Sequence, residues 1–254
     1  MRQGLIILVL LCLLGIGTSG VGTVSRTLQQ ERRHVVLWAW ERPEDLSFVD
    51  SRTTGIAFLA GTVRITATGA VRIEPRHQPL KISDHASPIA VIRIETDRTS
   101  HPNKLSPRAS SDVVAAICHL TDSYKISEVQ IDFDARVSER VFYRDLLNKL
   151  RKRLPSTKTI TITALASWCI HDTWMNELPV QEAVPMLFRM GPERGQILRF
   201  LERNNEFREP LCRSSVGIST DEPLIKISSK KRLYIFSPTK WTKKQVQQVL
   251  QEVN

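Results

Sequence analysis

Residues 128–135 read Glu-Val-Gln-Ile-Asp-Phe-Asp-Ala (EVQIDFDA). Successive side chains of a strand point to opposite faces, so Val129, Ile131 and Phe133 share one face and Gln130, Asp132 and Asp134 the other. A parallel strand covered by helices on one side and packed into a sheet interior on the other is ordinarily apolar on both. Three polar residues on one face therefore predict a strand whose inner side meets water or hydrogen-bonding partners. Neighbouring same-face acids on a strand lie roughly 6–7 Å apart at Cα. Carboxyls that close tend to split their pKa values, so that one can hold a proton while the other is charged. The alternative is a buried Asp pair neutralised by a basic neighbour, for which Arg93 on the preceding strand is the candidate.

The same type of segment recurs on either side. Short runs rich in β-branched residues fall at Val35–Trp40, Thr54–Leu59, Ile89–Ile94, Glu128–Asp134, Thr159–Ala166, Ala183–Phe188, Ser215–Ser219 and Leu233–Phe236. Helical patterns separate several of them: Arg108–Ser123, Ser138–Leu154, Pro192–Asn204 and Thr242–Val253. In the second helix Ser138 offers a cap, Val141, Phe142, Leu146, Leu147 and Leu150 form the apolar stripe, and Pro155 stops the run. Strand–helix alternation argues for a parallel sheet, and eight strands close most simply into one (β/α)8 TIM-type barrel. An open doubly wound sheet is the competing α/β reading, but neither a GxGxxG nor a P-loop pattern occurs. Residues 61–82 alternate apolar and polar side chains around Thr68-Gly69 and predict a β-hairpin inserted after the second strand.

A barrel site is built where its strands end. Trp38 and Trp40 share a face of the first strand and Glu41 follows; Arg93 and Glu95 share a face of the third. Trp168 and Arg189 follow the fifth and sixth, and Ser219 and Asp221 lie near the end of the seventh. A mouth of Trp, Glu, Asp and Arg suits a carbohydrate, since aromatics stack on sugar faces and acids bind hydroxyls or protonate a leaving oxygen. Each residue alone also fits core packing or simple pairing. His171-Asp172 reads as loop, and Ser83, Asp84 and His85 lack a nucleophile-elbow context.

The chain of 254 residues carries a net charge of +10, which favours anionic partners such as nucleic acid, anionic lipid or cell-wall polymers. The densest basic runs, Arg151-Lys152-Arg153 and Lys230-Lys231-Arg232, are expected on solvated surface. Arg2, the apolar run Leu5–Leu14 and the small residues to Gly20 have the layout of a secretory signal peptide, with an uncleaved anchor as the alternative. Residues 1–20 are thus read as leader, 21–33 as a polar linker and 34–254 as the barrel domain. The protein is expected to be exported, to the periplasm or outside the cell, and to meet a membrane only through an uncleaved anchor. Four cysteines occur. Removal of the leader takes Cys12 and leaves Cys118, Cys169 and Cys212, an odd set without CxxC spacing, so one disulfide is possible, its pair unassigned, and zinc is disfavoured. Cys118 reads as a small hydrophobe on a helix. No cofactor is expected, no nucleic-acid motif is present, and a monomer is expected.

The segments VVLWAWERPEDL (35–46), GIAFLA (55–60), QIDFDARVSERVFYRDLL (130–147), ITALASWC (162–169) and EAVPMLFRMG (182–191) resemble a bacterial family catalogued as domain of unknown function 3142. More distantly, residues 129–155 are similar to the fourth-strand region of chitinase-like glycosidases of family eighteen. Those enzymes carry Asp-x-Asp-x-Glu on alternate inward positions. Gln130 and Asp132 stand at the two Asp positions and Asp134 at the Glu. The resemblance implies that Asp134 is the proton donor, that Asp132 is its electrostatic partner, and that the substrate's N-acetyl group replaces an enzyme nucleophile. Gln130 and Asp134 both depart from the pattern, and Asp134 is one methylene shorter than Glu. Met186 and Phe188 resemble the sixth-strand motif, with Arg189 where an acid stands in the family. A glycoside hydrolase acting on an envelope or extracellular glycan is the leading expectation, with Trp38, Trp40, Glu41, Arg93, Glu95, Gln130, Trp168 and Arg189 as binding residues. A catalytically silent carbohydrate-binding barrel is the second. A metal-dependent hydrolase holding a hard cation on Asp132, Asp134 and Glu95 is the third.

Overall fold

The computed structural model describes residues 34–97, 105–223, 225 and 231–253. The leader, the linker, Cys12 and Lys230 lie outside the described residues. In chain order the elements are β1 (Val35–Ala39), β2 (Glu44–Asp45), β3 (Thr54–Ile65), β4 (Val71–Pro75), β5 (Leu80–Lys81), β6 (Ile89–Thr96), α1 (Pro107–Asp122), β7 (Glu128–Asp132), α2 (Arg140–Arg153), β8 (Thr159–Leu165), α3 (Trp168–His171), β9 (Glu182–Met186), α4 (Arg194–Asn204), β10 (Ser215–Ser219), β11 (Arg232–Phe236) and α5 (Lys243–Val253).

Eight parallel strands, in the order β1-β11-β10-β9-β8-β7-β6-β3, close through β1 pairing with β3. The protein is a single (β/α)8 barrel. Burial divides into two apolar sets. Val36, Trp38, Ala57, Val91, Val184 and Tyr234 pack inside the barrel. The opposite faces of the same strands, among them Leu37, Phe58, Ile92, Ile131 and Ile162, pack against the helices. This is the alternation read from the sequence, realised strand by strand.

The 61–82 segment folds back on itself around Thr68-Gly69, as its alternation predicts. The hairpin is continuous with the barrel wall: β3 runs past the point where it leaves β1, from Phe58 on to Ile65, and β4 folds back antiparallel on Gly61–Ile65. Gly69, at φ 85°, makes the turn. Residues 80–81 instead pair with β2 in a two-stranded ribbon. The second strand's own extension is therefore a flap of sheet standing beyond the barrel's C-terminal rim.

Helix boundaries also shift. Residues Val137–Glu139 form a 3-10 turn, and α2 begins at Arg140. Ser138 caps nothing; the Glu139 carboxylate accepts the Arg136 backbone N–H at 2.7 Å and the Thr96 hydroxyl at 2.7 Å. With that start Val141 faces solvent, 83% exposed, and the buried stripe is Phe142, Tyr143, Leu146, Leu147 and Leu150. Leu154 is extended, as a residue before proline should be, and ends the helix. Arg151 donates to the carbonyls of Leu154 and Lys158, closing that helix end.

Two expectations about charge and sulfur resolve. Lys231 and Arg232 are not solvated. Lys231 is buried and pairs with Glu206 at 2.6 Å. Arg232, at the start of β11, lies across the barrel base between Glu128 of β7 (3.3 Å) and Glu182 of β9 (3.2 Å). The Tyr234 phenol donates to Glu182 at 2.9 Å, with Glu128 at 3.1 Å. Cys169 and Cys212 form a disulfide; Cys118 is the half-buried free thiol on α1.

Candidate active site at the barrel mouth

Asp132 is the last residue of β7 and faces inward. Its carboxylate accepts the Thr163 hydroxyl of β8 at 2.7 Å. Arg93 stands beside it in register on β6. One pleat deeper, Gln130 is fully buried; its Oε1 accepts the Trp38 indole N–H at 2.9 Å, and its amide reaches Thr161 at 3.5 Å. That deeper layer is a closed floor. It fixes Trp38, whose indole packs on Tyr234 at 5.3 Å and crowds Gly217: a Cβ there would sit 3.1 Å from the ring.

Burial pushes the Asp132 carboxyl up to about 6 from an ordinary 3.8. The Thr163 hydrogen bond opposes this, Asp134 adds to it, Arg93 opposes it and Glu95 adds to it. Asp134 is not on the strand as expected. β7 stops at Asp132, and Asp134 is exposed on the loop that follows, at the lip of the mouth.

Two hollows meet at these acids. The first, about 340 Å³, has an aromatic wall: Trp38, Trp40, Phe188 and Phe236, with Met186 and Leu165. Phe188 and Phe236 stack parallel at 5.7 Å, and Trp40 meets Phe236 edge-on at 6.3 Å. Arg189 lies over Phe236 at 5.1 Å and pairs with Asp221 at 3.3 Å. Its backbone is left-handed, at φ 52°, and its N–H donates to Glu222 at 2.7 Å. A non-glycine residue held there is strained and marks a place where position matters more than ease of folding. The second hollow, about 640 Å³, lies between the mouth and the β3–β4 flap, and Arg93, Asp132 and Asp134 line both.

The structure therefore brings together Trp38, Trp40, Arg93, Asp132, Asp134 and Arg189 around the first hollow, and adds Glu95 from the second. Three expected residues stand elsewhere. Gln130 is sealed beneath the floor and can touch no ligand. Glu41 is exposed and borders neither hollow. Trp168 is buried in α3, edge-on to Trp174 at 5.0 Å, because β8 ends at Leu165 and the chain has turned outward before the indole. Thr163 was missed, although the alternation in TITITAL (159–165) puts it on the inner face. Phe236 was missed because the end of a last apolar strand looks like core.

Arg93 does not clamp the two aspartates. It bonds Glu95 at 2.9 Å and lies 5.8 Å over Trp40. Glu95 is also held by Arg64 at 2.5 Å, so it does not turn toward Asp132. Among the described residues no group of three His, Cys, Asp or Glu converges as a metal site. The donor set proposed for a hard cation does not fit one.

Fold and site together define a (β/α)8 barrel with an open, aromatic-walled mouth and a carboxyl pair at its edge. No protein-family model matches the chain, so the resemblance to domain 3142 gains no support there, and no curated protein matches it. Among solved structures, the Bacillus cereus spore cortex-lytic enzyme SleL is similar, at 15% identity and a TM-score of 0.44 over 74% of this chain and 50% of that one. The chitinase domain of the Clostridium difficile spore coat protein CotE is similar at 12% identity and a TM-score of 0.40, over 65% and 53%. The chain spans about half the length of each. Likeness at this level assigns neither chemistry nor substrate.

Proposed function

We propose that this protein is a glycoside hydrolase acting on a cell-envelope or extracellular glycan at the mouth of its barrel. The observation that carries the reading is one arrangement: a half-buried carboxyl raised to about 6, a second carboxyl exposed beside it, and an aromatic wall across the same hollow. Aromatic faces pack on the C–H faces of a pyranose, and a hollow of about 340 Å³ has room for a sugar ring. Below about pH 6 the Asp132 carboxyl is neutral, and Asp134, exposed beside it at the lip, is the acid assigned to give its proton. In the step proposed, that proton moves to the glycosidic oxygen as the C–O bond breaks. Water then supplies hydroxyl to the anomeric carbon and returns a proton to the carboxylate. Asp132 is the electrostatic partner, oriented by Thr163. Arg93 and Arg189 bind hydroxyls at the two edges.

Export is part of the proposal. It is supported by the apolar leader and by the Cys169–Cys212 disulfide, a bond that persists in oxidising compartments.

The test is release of reducing ends from a panel of envelope and extracellular glycans by the purified protein. Asp134→Asn keeps shape and removes the proton donor, so turnover should fall at least about 100-fold while binding persists. Equal turnover in that variant would remove Asp134 from the chemistry. Binding without turnover in the unaltered protein would make the barrel a carbohydrate-binding one.

A further inference from the structure

The flap made by β3 and β4 continues the inner face of the barrel wall beyond its rim, and its cross-strand register sets out two rows of side chains leading away from the acids. The first row runs Asp132, Arg93, Thr62, Glu74 across β7, β6, β3 and β4. The second, two residues further out, runs Glu95, Arg64, Arg72. Val63 and Ile65, which alternate with Thr62 and Arg64, are buried against the helix layer; Arg64 and Thr66 line the second hollow, and Thr62, one step deeper, is buried. Arg136, from the loop after β7, faces the same space.

Five carboxylates line this hollow among the described residues: Asp132, which accepts Thr163, Asp134, Asp97, Glu95 and Glu139, the last two engaged by partners within the protein, with Glu74 beside them on the flap. Glu95 lies between Arg64 and Arg93. Glu74 accepts Arg64 through both oxygens, at 3.1 and 3.2 Å. Glu139 is buried, its oxygens taken by Thr96 and the Arg136 backbone. The guanidiniums are not matched in the same way. Arg72 and Arg136 are both exposed, and neither makes an ion pair among the described residues. Arg72 also stands directly opposite Arg64 on the flap. Like charges facing across a strand pair are destabilising, so such a pair is kept at a cost that a bound anion would relieve.

We propose that this hollow is an anionic subsite, in which Arg72 and Arg136 bind the carboxylate of an acidic sugar unit while the neighbouring, uncharged unit lies against the aromatic wall. The proposal rests on the glycan reading above and names its substrate class: a polymer in which a carboxylated ring adjoins a neutral one. The guanidinium fork matches a carboxylate in geometry as well as charge. The net charge of +10 acts in the same direction, drawing an acidic polymer to the protein before it is seated.

The experiment is calorimetric titration of the full chain with two pairs of oligosaccharides in which acidic and neutral rings alternate: hyaluronan hexasaccharide and unsulfated chondroitin hexasaccharide, each beside its carboxyl-reduced form. A chitin hexamer serves as neutral reference. The acidic member of at least one pair should bind about tenfold more tightly than its reduced form, a ratio that falls with added salt. In Arg72→Gln and Arg136→Gln, both at exposed positions, that ratio should fall toward one. Equal affinity for acidic and reduced forms overturns the subsite and leaves the glycan reading standing. A preference that survives both substitutions also overturns it. Failure to bind any of the five overturns both.

Discussion

Asp132 shows how a useful carboxyl is kept at a cost to the fold. Its value is raised from 3.8 to about 6, so its contribution to stability is complete below pH 3.8 and lost as the pH rises through 6. At neutral pH the charged group destabilises the barrel, by about 2 kcal/mol after allowance for its partial access to water. Asp132→Asn should therefore raise the melting temperature at pH 7.5 and leave it nearly unchanged at pH 3.5; thermal denaturation at the two pH values checks this. On the proposed chemistry, turnover of the unaltered protein should change as the pH passes through about 6, where Asp132 takes on charge beside the donor, and the same substitution should remove that limb. The inward turn of Asp132 was legible in EVQIDFDA, because alternation needs only a strand. Which acid is buried was not, since that depends on where β7 ends, two residues earlier than the pattern suggested.

At the scale of elements, the strands were readable and their ends were not. Each barrel strand carries its own two-faced pattern, so all eight stand in the sequence within a residue or two, except that β3 runs on into the flap. The register between strands leaves no such trace. Arg232 bridges residues 104 and 50 positions away, and nothing local marks it as the tie between β7, β9 and β11. Trp168 was misplaced for a similar reason: a rim residue and a helix residue look alike until the turn is seen. The tie has a measurable weight. Arg232→Met leaves two carboxylates and a phenol inside the barrel base without their cation, and should cost about 3–5 kcal/mol in chemical denaturation. A loss under 1 kcal/mol would show that water reaches the base. Gly217→Ala tests the floor of the site: a Cβ 3.1 Å from the Trp38 ring must push the indole toward the hollow. A stability loss of about 1–3 kcal/mol with a shift in tryptophan emission is expected.

For the whole molecule, the disulfide divides the barrel unevenly. Its 43-residue span encloses β9 and α4, and with them Met186, Phe188 and Arg189, which form one wall of the mouth. Asp132, Trp40 and Phe236 stand outside that span. Breaking the bond should therefore not act on all parts alike. Chain entropy alone gives the cross-link about 4 kcal/mol of global stabilisation. The enclosed lobe is the part whose loose states the bond restricts most directly, so it should open first when the bond is gone. Limited proteolysis with and without dithiothreitol would read this out: new cuts confined to 170–211 in the reductant, with the segments on either side still resistant. Such a protein would keep its acids in place and shed its aromatic wall. The surrounding redox potential would then act as a dial on what the mouth can hold, turned without any contact with the mouth itself.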